Sequence, residues 1–275
     1  MNNERQTPKV IHYCWFGGSP LPELARRCLD SWRKFCPNYE IIEWNETNYD
    51  IHTCPFVHEA YQSKKWAFVS DYARFDILYR HGGVYFDTDV ELVGPIDDLV
   101  EKGPFLGVEQ NADHIVVNPG LAMATPPGHP VYQSVLETYQ NGHFINEDGT
   151  YNQMTVVKYT TDILRAHGLL EIPEVQCIEG IWIYPWNYFC PMNYETGELT
   201  ITENTRSVHY YNASWLTDEE KASHSFGMRM RKLFGNSVGN VMEGVYSLPY
   251  RVKAKVRQKG LLGALRFAIR KIVKQ

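Results

Sequence analysis

A chain of 275 residues, 44% hydrophobic and 21% charged with a net charge of −5, is large enough to bury a full α/β core and too mixed in composition to be fibrous or disordered. No run is long and apolar enough to span a bilayer. Six cysteines (Cys14, Cys28, Cys36, Cys54, Cys177, Cys190) form no C-x-x-C pair and no zinc-finger spacing, which argues against a structural metal site and for free thiols in a reducing compartment.

The opening MNNERQTPKV is polar and charged before any apolar run, unlike a secretory leader, so a cytoplasmic location is expected. Residues 9–16, KVIHYCWF, are β-branched and aromatic and end at Gly17-Gly18, which predicts a buried first strand and its turn. Residues 23–35 place Leu24, Cys28, Leu29 and Trp32 at helical spacing before Pro37, and a second strand is predicted over 39–44. Strand, helix and strand at this spacing open an α/β sheet. The next helix is predicted over 66–81, WAFVSDYARFDILYRH, with Phe68, Tyr72, Phe75 and Leu78/Tyr79 on one face, closed by Gly82-Gly83. The run GVYFDTDVELV that follows is β-rich and stops at Gly94-Pro95. From 105 to 215 short strands alternate with Pro- and Gly-rich loops, with helices expected near 131–140 and 156–167.

The charge is divided unevenly. Residues 226–275 carry 12 Lys or Arg against one acid, Glu243, a sum of +11, which leaves −16 on residues 1–225. This split divides the chain into an expected catalytic domain, 1–225, and a basic helical tail, 226–275. After Pro249, Val252 and Val256 lie four apart, and Leu261, Leu265, Ala268 and Ile272 continue an apolar stripe flanked by Arg266, Arg270 and Lys274. That pattern suits an amphipathic helix on an anionic membrane surface or one packed on the domain, with Gly260 and Gly263 marking a break.

Chemistry concentrates in residues 70–91. Asp87 and Asp89 stand two apart after the apolar run VYF, and on an extended strand both project to one side, where they can hold Mg²⁺ or Mn²⁺ on a diphosphate. Asp71 and Arg74, at i and i+3, share a helix face one element earlier. The segment SDYARFDILYRHGGVYFDTDVEL resembles the S-D-x-x-R-x-x-x-L-x-x-x-G-G-x-Y-x-D-x-D signature of glycosyltransferase family 32. PKVIHYCWFGG is similar to that family's opening P-K-x-I-H-x-x-W, and SVHYYNASW (207–215) is a weaker echo of its late H-x-x-x-x-S-W.

The resemblance implies a GT-A fold, a Rossmann-like nucleotide-sugar-binding sheet flanked by helices. It also implies a retaining transfer of a hexose or N-acetylhexosamine from a nucleotide sugar, UDP-linked by preference, to a glycan acceptor, with a lipid-linked glycan in view. Family members include yeast α-mannosyltransferases and bacterial capsule and lipopolysaccharide enzymes, so a role in surface polysaccharide synthesis is expected, on the cytoplasmic face of the membrane and without a nucleic-acid partner. Carried over by position, Trp15 would stack on the base, and Ser70, Asp71 and Arg74 would meet the donor sugar. Tyr85 and Asp87 would line the ribose and diphosphate, Asp89 and His209 would join Asp87 on the metal, and Trp215 would donate to the β-phosphate. Two other classes share parts of the pattern. A haloacid-dehalogenase-type phosphatase also uses an apolar run followed by D-x-D, though on a first strand, and a non-catalytic nucleotide-sugar-binding protein would keep the same residues.

Overall fold

The computed structural model describes residues 6–110, 114–140, 142–152, 154–212 and 217–272. These fall into two compact units, one of residues 1–193 and 199–212 and the other of residues 194–198 and 213–275.

In the first unit β1 (Val10–Cys14), α1 (Glu23–Phe35) and β2 (Glu40–Trp44) form the expected βαβ unit, followed by α2 (Pro55–Gln62) and α3 (Trp66–His81). Next come β3 (Gly83–Tyr85), β4 (Val90–Leu92), α4 (Asp97–Lys102), β5 (Phe105–Gly107) and β6 (Met123–Thr125). The unit is completed by α5 (Pro130–Gln140), α6 (Val156–Ala166), β7 (Gln176–Ile178), β8 (Ile181–Tyr184), α7 (Trp186–Phe189) and β9 (Ser207–His209). Seven strands join in the order β2-β1-β3-β6-β5-β8-β7, and β4 pairs with β9 in a separate two-stranded sheet. The α/β class is as expected, but the sheet is mixed. Only β2-β1-β3 and β5-β8 run parallel, while β3-β6, β5-β6 and β7-β8 are antiparallel.

Both faces of the sheet are covered, which is why its strands read as near-continuous apolar runs. On one face Trp32 of α1 lies edge-on to Tyr13 and tilted against Phe86, and its indole N–H donates to the Val90 carbonyl at 2.8 Å. On the other, α3 packs on α5 through Tyr72–Tyr139 and Phe75–Tyr132 ring contacts, and Phe56 of α2 lies edge-on to the same Tyr139 ring. Val69, Ala73, Phe75, Ile77 and Leu78 are fully buried, so α3 is an inner helix whose apolar positions spread around it rather than along one stripe.

The run 83–93 is not one strand. β3 belongs to the large sheet and β4 to the small one, and residues 86–89 turn between them, with the Asp87 N–H donating to the Gly120 carbonyl at 3.1 Å and Val90 N–H to the Asp87 carbonyl at 3.1 Å. Asp87 and Asp89 are therefore set by a turn, and strand alternation is not what points them.

The second unit is a helical hairpin of α8 (Asp218–Phe234) and α9 (Asn236–Ile272). A boundary at 225/226 drawn on charge would cut α8 in half; α8 starts earlier because Thr217 caps it in a reciprocal capping box with Glu220. Helix α9 runs without interruption through Gly260 and Gly263, where a break was expected. Each glycine costs about 1 kcal/mol of helix propensity but removes no backbone hydrogen bond. No helix among the described residues is long and apolar enough to cross a membrane.

His12 on β1 shows how the sheet uses a buried polar ring. It is 2% exposed, with Nε2 donating to the Gly82 carbonyl at 3.0 Å and Nδ1 accepting from Trp44 Nε1 at 3.0 Å, a pattern that requires the neutral ring. Burial pushes its pKa down to about 4. The unfolded chain binds this proton near pH 6.5 and the folded chain near 4, so the His12 contribution to stability is complete above pH 6.5 and lost as pH falls toward 4. Comparing urea denaturation of the parent with His12→Asn between pH 7 and 4 should reveal an acid-dependent component of about 3 kcal/mol that is missing from the variant. Parallel curves for the two proteins would refute the assignment.

Candidate active site

In an open α/β sheet, ligands bind beyond the carboxyl ends of the parallel strands, where neighbouring connections leave in opposite directions. Here β1 has β2 on one side and β3 on the other, so that point lies at the ends of β1 and β3, after Cys14 and Tyr85. The residues that follow are Trp15 and the Asp87–Asp89 turn.

Arg74 organises the turn from behind. It is 4% exposed, and its guanidinium reaches Asp71 Oδ1 at 3.0 Å, Asp87 at 3.2–3.3 Å and the Ser70 carbonyl at 3.1 Å while lying 5.0 Å from the Tyr85 ring centre. The i, i+3 relation of Asp71 and Arg74 thus forms a real pair, and the Gly82-Gly83 turn returns the chain so that Arg74 also meets Asp87. Tyr85 donates its hydroxyl to Asp87 Oδ1 at 3.0 Å. At 1% exposure it is packed behind Asp87 and orients that carboxylate.

The other half of the turn is met by the chain's late return. The register of β4 on β9 sets Val90 opposite His209, which brings His209 Nε2 to 3.2 Å from Asp89 Oδ1. The Asn212 N–H donates to Asp89 Oδ2 at 2.7 Å and the Tyr210 N–H to the Asp89 carbonyl at 3.0 Å. One potential ligand atom from each of Asp87, Asp89 and His209 lies within 4.8 Å of the others. Two carboxylates and an imidazole suit a divalent cation, with further positions left for phosphate or water. His209 Nδ1 is buried without a hydrogen-bond partner among the described residues, as expected of a ring held for something beyond the protein's own network.

The charges are unevenly balanced. Burial raises Asp71 to about 6 against the pull of Arg74, and burial likewise lifts Asp87 although Arg74 opposes it. Burial works against the Asp89 carboxylate too, yet His209 and the Asn212 amide outweigh it and hold Asp89 below its ordinary value. His209 is raised in turn, because Asp89, Asp87 and Glu109 overcome the cost of burying its charge.

Three further sequence-predicted residues have mixed placements. Trp15 is partly buried, packs on the α1 face of the core and donates its indole N–H to the Ser19 carbonyl at 2.6 Å. The Ser70 hydroxyl is turned back to the Trp66 carbonyl at 3.1 Å, inside its own helix. Trp215 lies outside the described residues.

Sequence reasoning missed the floor of the site. Asn118 accepts from the Gly120 N–H at 2.7 Å and donates to Glu109 at 2.6 Å, forming a tight turn beneath Asp87. The triplet Asn118-Pro119-Gly120 is a turn signal, but nothing local ties it to residue 87.

Residues 22–106 match the family described as the glycosyltransferase sugar-binding region containing DXD motif. The chain is 28% identical over 170 residues to inositol phosphoceramide mannosyltransferase 1 of Schizosaccharomyces pombe, covering 58% of this chain and 48% of that protein. An uncharacterized glycosyltransferase of Acanthamoeba polyphaga mimivirus is 23% identical over 202 residues, covering 68% of this chain and 76% of that one. The chain spans about half the length of the two fission-yeast relatives it matches. Among solved structures, the PaToxG glycosyltransferase aligns with a TM-score of 0.45 at 17% identity over 60% of this chain and 71% of that one. The phosphatase alternative is overturned by the family match and by topology, since the D-x-D follows the third strand rather than the first.

Gly120 tests the floor. A β-carbon there would stand 2.1 Å from Asp87 Oδ2 and 3.0 Å from both Arg74 Nη1 and Asn118 Oδ1. Gly120→Ala should destabilise the domain by about 1–3 kcal/mol through displaced buried polar groups, read as a lowered urea midpoint. A wild-type midpoint would show that the turn under Asp87 is slack.

Proposed function

We propose that the protein is a metal-dependent, retaining glycosyltransferase that moves a hexose or N-acetylhexosamine from a UDP-sugar to a glycan acceptor in surface polysaccharide synthesis, the acceptor being lipid-linked. The observation that carries the reading is the approach of Asp87, Asp89 and His209 to one point beyond β3, beside the Arg74–Asp71 pair. Mn²⁺ or Mg²⁺ held by these three residues would neutralise the negative charge that grows on a departing diphosphate. Arg74 draws Asp87 toward its ionised form and aims it, and Asp71, held from one side by Arg74, keeps acceptor capacity for a sugar hydroxyl. Asp71, Asp87 and Asp89 are each committed to these tasks, so no carboxylate remains assigned as a nucleophile beneath the anomeric carbon. Retention is then served by same-face attack, in which positioning and electrostatic stabilisation do the work.

A second donor, GDP-mannose, is favoured by one observation, that the two fission-yeast relatives are named mannosyltransferases. Thermal-shift titration separates the two donors. The cognate nucleotide sugar with Mn²⁺, at a hundred times its Kd, should add about 2.7 kcal/mol of stability, and metal chelation should remove that gain.

Asp89→Asn should leave the melting temperature near that of the parent and lower transfer on the order of a thousandfold, since losing a metal ligand forfeits several kcal/mol of leaving-group stabilisation. A purified variant that keeps a substantial fraction of the parental rate in EDTA would exclude the metal-clamp reading. Trp15→Ala should raise the donor KM about ten- to a hundredfold and weaken free UDP in parallel, the range measured when base-stacking aromatics are truncated. If the variant instead loses solubility or melts early, Trp15 belongs to the core.

A further inference from the structure

The seam of the second unit is built round a buried arginine, while a row of large apolar side chains stands outside it. Arg231 of α8 is 6% exposed, and its guanidinium is bound by Glu243 and by Asn240 Oδ1 at 3.0 Å on α9, with Nε donating to the Glu195 carbonyl at 2.8 Å. Gly227 and Gly239 let the two helices approach closely enough for this. A β-carbon at 227 would stand 2.1 Å from the Glu243 carboxylate, and one at 239 would stand 2.6 Å from the Arg231 backbone. Phe226 stacks on Tyr246 at 4.6 Å along the same seam.

The face of α9 turned away from this seam carries Val238, Val241, Val245 and Leu248, at spacings of three, four and three residues, a stripe along one side of the helix. They are 46%, 63%, 67% and 42% exposed, and Leu233 and Phe234 at the end of α8 are 68% and 58% exposed. A hairpin that buries an arginine while leaving six large apolar side chains in water is arranged for a partner that takes up the apolar side.

The charge beyond the stripe says what kind of partner. Residues 250–275 contain nine Lys or Arg and no acid, and eight of them, five within 251–259 and three within 266–271, lie on the same helix that carries the stripe. An apolar stripe continuous with an acid-free basic segment complements a surface that is apolar beneath and anionic above. We infer that the α8–α9 hairpin docks on an anionic lipid bilayer, with the 238–248 stripe and the hairpin end at Leu233–Phe234 entering the acyl boundary and the basic stretch from Arg251 onward lying against the headgroups. A second copy of the chain would bring like charge to like charge, +11 against +11, and does not fit this surface. The inference rests on the hairpin alone and stands or falls apart from the donor and metal assignments.

Flotation with vesicles tests it on the full-length protein. Vesicles containing phosphatidylglycerol should carry the protein at low ionic strength, while pure phosphatidylcholine vesicles should not. Binding should fall at 1 M NaCl, where the screening length is about 3 Å. Lys253→Gln with Lys255→Gln should weaken the partition about thirtyfold, and Val241→Asp with Val245→Asp should weaken it at least about tenfold in protein whose melting temperature is unchanged. Failure of the parent to float with either lipid would overturn the inference, as would equal partition onto both. So would sedimentation equilibrium showing a dimer that the Val241→Asp, Val245→Asp pair dissolves while vesicle binding persists. If the valine pair lowers the melting temperature, the lysine pair still decides, because Lys253 is exposed.

Discussion

The candidate site depends on one buried guanidinium. Arg74 is enclosed on an inner helix and could not remain charged there without compensation, because an unpaired buried charge costs several kcal/mol. Two carboxylates compensate it, Asp71 from its own helix and Asp87 from the turn after β3, and the Tyr85 ring covers one side. The same contacts that satisfy Arg74 fix the first acid of the D-x-D turn. Stability of the inner helix and orientation of the site are therefore one problem with one solution, and the Gly82-Gly83 reversal exists to bring its parts together.

Much of this was readable because it is local. Helices 23–35 and 66–81 came from periodicity and their Pro or Gly stops, and the pairing of Asp71 with Arg74 from i, i+3 spacing alone. The break inside GVYFDTDVELV was not readable. Its residues have strand propensity throughout, and only pairing partners far away, β6 for one half and β9 for the other, decide that the chain turns at Asp87. The Asn118–Gly120 floor escaped for the same reason.

The helical hairpin gave a different lesson. Charge sets the residues from 226 onward apart from the rest of the chain, yet charge carries no sign that α8 begins at Asp218. The capping box at Thr217 and Glu220 and the seam of Gly227, Arg231, Gly239 and Glu243 define the hairpin, and their meaning appears only when the two helices are antiparallel. An apolar stripe of spacing three and four would ordinarily be assigned to a core. Here the seam is polar and the stripe is left over.

The pairing of β4 with β9 carries a consequence for how the molecule comes into being. The Arg74–Asp71–Asp87 group spans only 17 positions, whereas Asp89 and the Asn212 amide that holds it are 123 apart. During synthesis the first group can form as soon as β1, α3 and β3 have been made, while Asp89 must wait for nearly the whole domain. Until β9 arrives, two neighbouring carboxylates stand together with only one of them compensated, and the partly made chain is an incomplete chelator. The last strand to be added is also the one that delivers the imidazole, so the Asp87–Asp89–His209 cluster that could hold a cation is complete only when the domain closes.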